Sequence, residues 1–188
     1  MLNDIFGQGF GVFYVTSQIF ALASFIFDLV AAQQKKKASL LNMDTMAASS
    51  SLLHYAFLGA WAGMANKIIA VIRNALAAYM ASKKRKAPKS LPLIFVIAYI
   101  IFGIFTFNSA YSLLPTIASS IYSIVIYTTS DANKIRYTII ITSTIWLVYN
   151  ICVFSIVGII TQVILLVNDL IAIWRYRKKS ARKPAKRK

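Results

Sequence analysis

The chain has one cysteine and one histidine among 188 residues, and only five acidic residues against 21 basic ones. A lone Cys152 excludes an internal disulfide and any cysteine-based metal cluster. With a single histidine, His54, and so few carboxylates, no metal-ligand spacing can be assembled. Glycine and proline are scarce, at seven and four residues. Three of the glycines, Gly7, Gly9 and Gly11, form no strand–turn–helix, so they are not a nucleotide loop. No nucleophile elbow occurs. No metal or cofactor is expected, and an enzymatic role is not expected.

What is abundant is apolar surface. The composition is 59% hydrophobic, with a mean hydropathy of +0.66. A soluble domain has nearer half apolar residues and more charge. Seven apolar spans can be marked, at residues 10–31, 39–60, 62–82, 91–108, 110–130, 135–155 and 157–176. Each approaches the ~20 residues that carry a helix across the hydrocarbon layer. The loops between them are too short to hold a soluble domain. The start of the chain carries Asp4 and no cation, unlike the positively charged start of a signal peptide, so the first span is expected to be retained.

The cations alternate. Lys35, Lys36 and Lys37 follow the first span; Lys83, Lys84, Arg85, Lys86 and Lys89 follow the third; Lys134 and Arg136 follow the fifth; nine more follow the seventh, from Arg175 to Lys188. The N-terminus and the other gaps have none. Cytoplasmic loops retain Lys and Arg, so the N-terminus is expected outside and the C-terminus in the cytoplasm. The formal net charge of +16 is thereby explained by topology rather than by nucleic-acid binding. The basic tail suits anionic lipid headgroups, each cation near the surface adding about 1 kcal/mol.

Spans two and three align with spans six and seven at a constant offset of 95. Leu52 falls on Leu147, His54 on Tyr149, Gly63 on Gly158, Lys67 on Gln162, Arg73 on Asn168 and Asn74 on Asp169. Span one pairs with span five through Ser17-Gln18-Ile19-Phe20 and Ser119-Ser120-Ile121-Tyr122. The predicted fold is an all-α membrane protein of seven transmembrane helices, arranged as two parallel three-helix repeats with a linker helix between them. Residues 1–82 form the first repeat, 83–108 the basic loop and linker helix, 109–177 the second repeat and 178–188 the basic tail. Parallel repeats are a known transporter architecture with the solute site near the midplane.

Charged and amide side chains at membrane depth are costly and usually face the bundle interior. On span three, Gly63, Asn66, Ala70, Arg73 and Ala77 make one stripe at steps of three and four, with Lys67 and Asn74 beside it. Span seven repeats this with Gly158, Thr161, Leu165, Asn168 and Ala172, flanked by Gln162 and Asp169. Arg73 and Asp169 are opposite charges at similar depth, so a pair is predicted, ordering a pocket or holding the halves together. Spans two and six add Asp44, Ser51 and His54, and Thr142, Trp146, Tyr149 and Asn150. His54 suits either a solute contact or a neutral tie between helices. Asp44 lies nearer the inner surface and suits a contact with the loop cations.

Three helices, a linker and three more, with the N-terminus outside, resembles the SWEET sugar transporters and the wider PQ-loop and vitamin-precursor transporters. More specifically, the chain resembles the YgjV family of bacterial inner-membrane proteins, through Leu53-His54-Tyr55-Ala56-Phe57-Leu58-Gly59-Ala60, Ile72-Arg73-Asn74, Trp146-Leu147-Val148-Tyr149-Asn150 and Leu165-Leu166-Val167-Asn168. The first resemblance implies that Asn74 and Asn168 line a pocket for a sugar- or nucleoside-like solute, with Trp146, Tyr149 and His54 around it. It departs from that pattern in lacking the Pro-Gln dipeptide; only Pro115 lies inside a core span. The same fold also serves receptors, so a non-transporting receptor or interaction subunit stays open. The second resemblance implies the inner membrane. Homo-oligomerisation is left open.

Overall fold

The computed structural model describes residues 11–34, 37–85, 87–128 and 132–181. They form seven α-helices and no strand: α1 Val12–Gln33, α2 Lys37–Phe57, α3 Trp61–Ser82, α4 Leu91–Phe105, α5 Leu114–Thr128, α6 Ala132–Cys152 and α7 Ile156–Ala181. The seven apolar spans of the sequence correspond to these helices one for one. Two of the apolar stretches, Val12–Ala31 and Ala110–Thr128, reach at least 18 residues with very few charges; Leu91–Phe105, Tyr137–Cys152 and Ile156–Asn168 are shorter.

One expectation shifts locally. The fifth span begins as a short 3₁₀ turn, Ala110–Leu113, and Pro115 sits in the first turn of α5 rather than inside a helix. There its missing N–H costs nothing, because the first turn of a helix has no intrahelical acceptor for it.

Neighbours in sequence pack side by side, α1 on α2, α2 on α3, α5 on α6 and α6 on α7. Two further contacts close a ring: α3 packs on α5 and α7 packs on α1. Helix α4 sits against α3 and α5 and presents Leu93, Ile97, Ile100, Ile104 and Phe105 outward. In this ring α1 stands opposite α5, α2 opposite α6, and α3 opposite α7.

The burial pattern is that of a bundle whose solvent is lipid. Phe13, Ile19, Ile72, Ile94, Ile141 and Ile160 are exposed, while Ser17, Ser24, Asn66, Ser112, Ser123, Asn150 and Ser155 are buried. Apolar packing inside relies on small residues, chiefly Ala62, Ala65, Ala70, Ala77, Ala78 and Ala118, around the large rings of Tyr55, Tyr99 and Tyr149. Lipid tails leave no hydrophobic drive between helices, so close approach over small residues and interhelical hydrogen bonds hold the bundle.

The turns after α2 and α6 are copies of each other. Leu58 N donates to His54 O and Val153 N to Tyr149 O; Ala60 N donates to Tyr55 O and Ser155 N to Asn150 O. Gly59 and Phe154 both take positive φ, at 70° and 54°. Each residue of the second turn is 95 positions beyond its counterpart.

Candidate functional site

The end of the bundle away from Lys83 and Lys84 is closed by a network that joins α1, α2 and α3 to α6 and α7. His54 supplies its first tie. Its Nδ1 lies 2.8 Å from the Ser17 carbonyl on α1, and its Nε2 lies 2.9 Å from Ser155 Oγ at the start of α7. A carbonyl only accepts, so Nδ1 carries the proton and Nε2 accepts from the serine. Ser155 Oγ in turn accepts from Gly158 N at 3.1 Å, and Gln18 Oε1 accepts from Val157 N at 3.0 Å. Two of the orphan N–H groups of the α7 N-terminus are thereby satisfied.

Tyr149, the counterpart of His54, does the reciprocal job. Its hydroxyl accepts from Gly63 N, in the first turn of α3, at 2.8 Å. Between these ties, the Tyr55 hydroxyl donates to Asn150 Oδ1 at 3.0 Å. Tyr55 and Asn150 are themselves 95 residues apart, so this bond joins sequence-related positions of two facing helices. Glycine is required at both helix starts. A Cβ at Gly63 would lie 2.8 Å from the Tyr55 ring, and one at Gly158 would collide with Ser155 Oγ and Asn150 Oδ1.

Beneath this layer lie the charges. Arg73 is 5% exposed; its Nε donates to Asn74 Oδ1 and its Nη1 to Ser123 Oγ of α5, both at 3.0 Å. Its guanidinium lies 4.9 Å from the ring centre of Tyr122 and 5.9 Å from that of Tyr99. Tyr127 adds a hydroxyl bond of 3.0 Å to the Arg73 carbonyl. The guanidinium thus crosses from α3 to α5, held by a planar fork and ring faces that lysine would not match. The ammonium of Lys67 lies 4.4 Å above the Trp146 ring, a second cation reaching across. Asp28 on α1 and Asp44 on α2 complete the set. Asp28 is in electrostatic contact with Asp44 and Lys67, and Asp44 with Lys67 and Arg73.

The structure brings together some of the residues that sequence singled out, and not others. His54, Tyr149 and Trp146 share one cluster with Tyr55, and Asn74 lies on Arg73. The polar atoms of His54 and Tyr149 are occupied by helix ties. Asn168 is exposed beside Val167 and Leu170, and α7 is not a packed neighbour of α3. The side chain of Asp169, the predicted partner of Arg73, lies outside the described residues. The stripe on α3 is buried throughout, at Gly63, Asn66, Ala70, Arg73 and Ala77. On α7, Thr161 is buried and Asn168 is not.

Asp28 is not among the residues that the sequence reading singles out; Asp44 is in electrostatic contact with Arg73 and Lys67, while Lys35, Lys36 and Lys86 of the basic gaps lie outside the described residues. A signal existed. Ser17, Ala21, Ser24, Asp28 and Ala31 repeat at steps of four and three, a small and polar stripe on an otherwise apolar helix. Four of these five are buried, and Asp28 is half-buried.

Residues 15–180 match the family model of YgjV, described as a bacterial inner membrane protein. The chain belongs to the YgjV family. As a YgjV-family member it is a protein of the bacterial inner membrane, in agreement with its lipid-facing exterior. No curated protein and no solved structure matches the chain.

Proposed function

We propose that this YgjV-family protein is a multi-pass transporter that moves a small polar solute by alternating access. The N-terminus is outside, and the basic loops and tail are cytoplasmic. The observation that carries the reading is the reciprocal closure between halves. His54 reaches the start of α7 and Tyr149 reaches the start of α3, above a layer of charged groups at membrane depth. Two halves that touch through matched, breakable hydrogen bonds at one end are suited to rocking about a central site. The matching turns and the paired contacts α3–α5 and α7–α1 support a two-repeat architecture with α4 as linker. Trp146 and Asn74 would contact the solute, with Lys67 and Arg73 ordering the site. Asn168, His54 and Tyr149 would join these contacts only when the closure opens. A neutral sugar- or nucleoside-like solute suits the amides and aromatic rings.

The test is solute entry into sealed vesicles holding the purified protein, offered mixed neutral sugars, nucleosides and vitamin precursors and read by mass spectrometry. Selective entry, lost in Trp146→Ala and Asn74→Ala, is expected. No entry with folded, oriented protein overturns the reading. It would favour a receptor or interaction subunit, for which the cation-rich segment 178–188 offers a docking element.

The orientation has its own check. In a Cys152→Ser background, a cysteine introduced at Ser109 is expected to react with an impermeant maleimide in intact spheroplasts, and one at Ser90 only after lysis. The reverse pattern would invert the topology.

A further inference from the structure

The closure and the pocket contacts make no use of Asp28 and Asp44. Both carboxylates are half-buried on helices that lie within the bundle. Among the described residues, neither they nor Lys67 form a hydrogen bond or an ion pair within 4.0 Å. This is unusual. Ionisable groups inside a membrane are normally paired, because leaving them bare costs several kcal/mol. Here opposite charges sit within electrostatic reach of one another but are not locked together. No described donor fixes either form of the two carboxylates, so a proton can be taken up or released without breaking a bond among the described residues.

The surroundings can be enumerated. Asp28 on α1 faces Asp44 and Tyr55 of α2 and Lys67 of α3, the Tyr55 hydroxyl being bonded to Asn150; of its other packed neighbour, α7, the Asp169 side chain lies outside the described residues. Asp44 faces Asp28, Lys67 and Arg73. Lys67 faces both carboxylates, Arg73 and His54. Helices α4 and α5 contribute only Tyr99, Tyr122 and Tyr127 as titratable groups, and these surround Arg73. Arg73 is held by its own partners, Asn74 and Ser123. The exchangeable groups are therefore Asp28, Asp44 and Lys67. All three lie on α1–α3, and Lys67 reaches Trp146 on α6.

We infer that Asp28, Asp44 and Lys67 form a proton-exchange site, and that Lys67 on the Trp146 ring relays its protonation state across the contact between the halves. This rests on the transport reading for its use, where it would couple solute movement to a proton gradient. The site itself is independent of any solute. The proton moves between water entering from one face and a carboxylate oxygen, and no other reactant is needed.

The test uses the full chain in lipid vesicles with Trp61→Phe and Trp174→Phe, leaving Trp146 as the fluorophore. Trp146 emission and the infrared band of protonated carboxyl groups are followed across pH. The expected result is a change in both with a common midpoint. That midpoint should move by about one pH unit or more in Asp28→Asn and in Asp44→Asn. The carboxyl band of this site should vanish in the double variant, and Asp28→Glu should restore a titrating band. Lys67→Gln should abolish the emission change while the carboxyl band still titrates. Elution as a monodisperse peak and an unchanged helical spectrum verify the fold of each variant. A carboxyl band that survives the double substitution, or Trp146 emission indifferent to pH, overturns the proposal. Solute entry unaffected by a pH gradient would leave the transport reading standing and remove the coupling. A titrating site without solute entry would do the opposite.

Discussion

His54→Ala should lower the apparent melting temperature in detergent by roughly 6–20 °C, corresponding to a loss of about 3–5 kcal/mol for a chain of this size. The imidazole links three helices, bonding Ser17 O on α1 from α2 and Ser155 Oγ before α7. Removing it opens a void in a fully packed layer and leaves the Ser155 hydroxyl without its acceptor. His54→Gln keeps a donor and an acceptor of similar reach, so it should recover a large part of the loss. Melting followed by tryptophan fluorescence checks both. If alanine and glutamine variants melt together with the wild type, the tie contributes nothing and the closure must rest elsewhere.

Gly63→Val should cost about 3 kcal/mol, or roughly 6–12 °C in apparent melting temperature. The first added atom would already lie 2.8 Å from the Tyr55 ring and 2.9 Å from the Tyr149 hydroxyl. Tyr55 cannot retreat freely, because its hydroxyl is bonded to Asn150 and its ring is stacked on Trp146 at a 5.8 Å centroid distance. The substitution also pushes the Tyr149 hydroxyl off the Gly63 N–H. Combining Gly63→Val with Tyr149→Phe should therefore cost less than the sum of the two, since both break one contact. Strict additivity in the melting data would show that the glycine and the tyrosine act separately.

Much of the fold is legible in the sequence because lipid imposes a simple rule. Every backbone polar group must be satisfied within its segment, so each apolar run between charged gaps becomes a helix. The boundaries follow: Lys83 ends α3 and Pro92 opens α4. The offset of 95 is legible at Gly63 and Gly158, where a Cβ would meet the Tyr55 ring in the one case and Ser155 Oγ and Asn150 Oδ1 in the other. The interior stripe of α3 follows from helical periodicity alone.

The site is less legible. Sequence depth suggests a partner for Arg73 on α7, Asp169, whose side chain lies outside the described residues; the described partners of Arg73 are Asn74 beside it, Ser123 on α5 and the rings of Tyr99 and Tyr122. Depth gives a residue's height in the bundle and says nothing about which helix lies alongside; α3 adjoins α5 and faces α7 across the ring. Asp28 passes unnoticed because one carboxylate hardly alters the average of an apolar span.

The sequence alone thus determines that the chain is a seven-helix, lipid-embedded bundle with its cations gathered in alternate gaps between the apolar spans. Those properties depend on hydrophobic length and on charge in the gaps, and both are local. Only the tertiary structure decides that His54 ties α2 to the start of α7 and Tyr149 ties α6 to the start of α3, and that Asp28, Asp44 and Lys67 come within electrostatic reach without pairing among the described residues. Which side chains meet is set by how the helices are ordered around the ring and rotated about their axes. That order emerges only when small residues let the helices approach and their polar groups find one another.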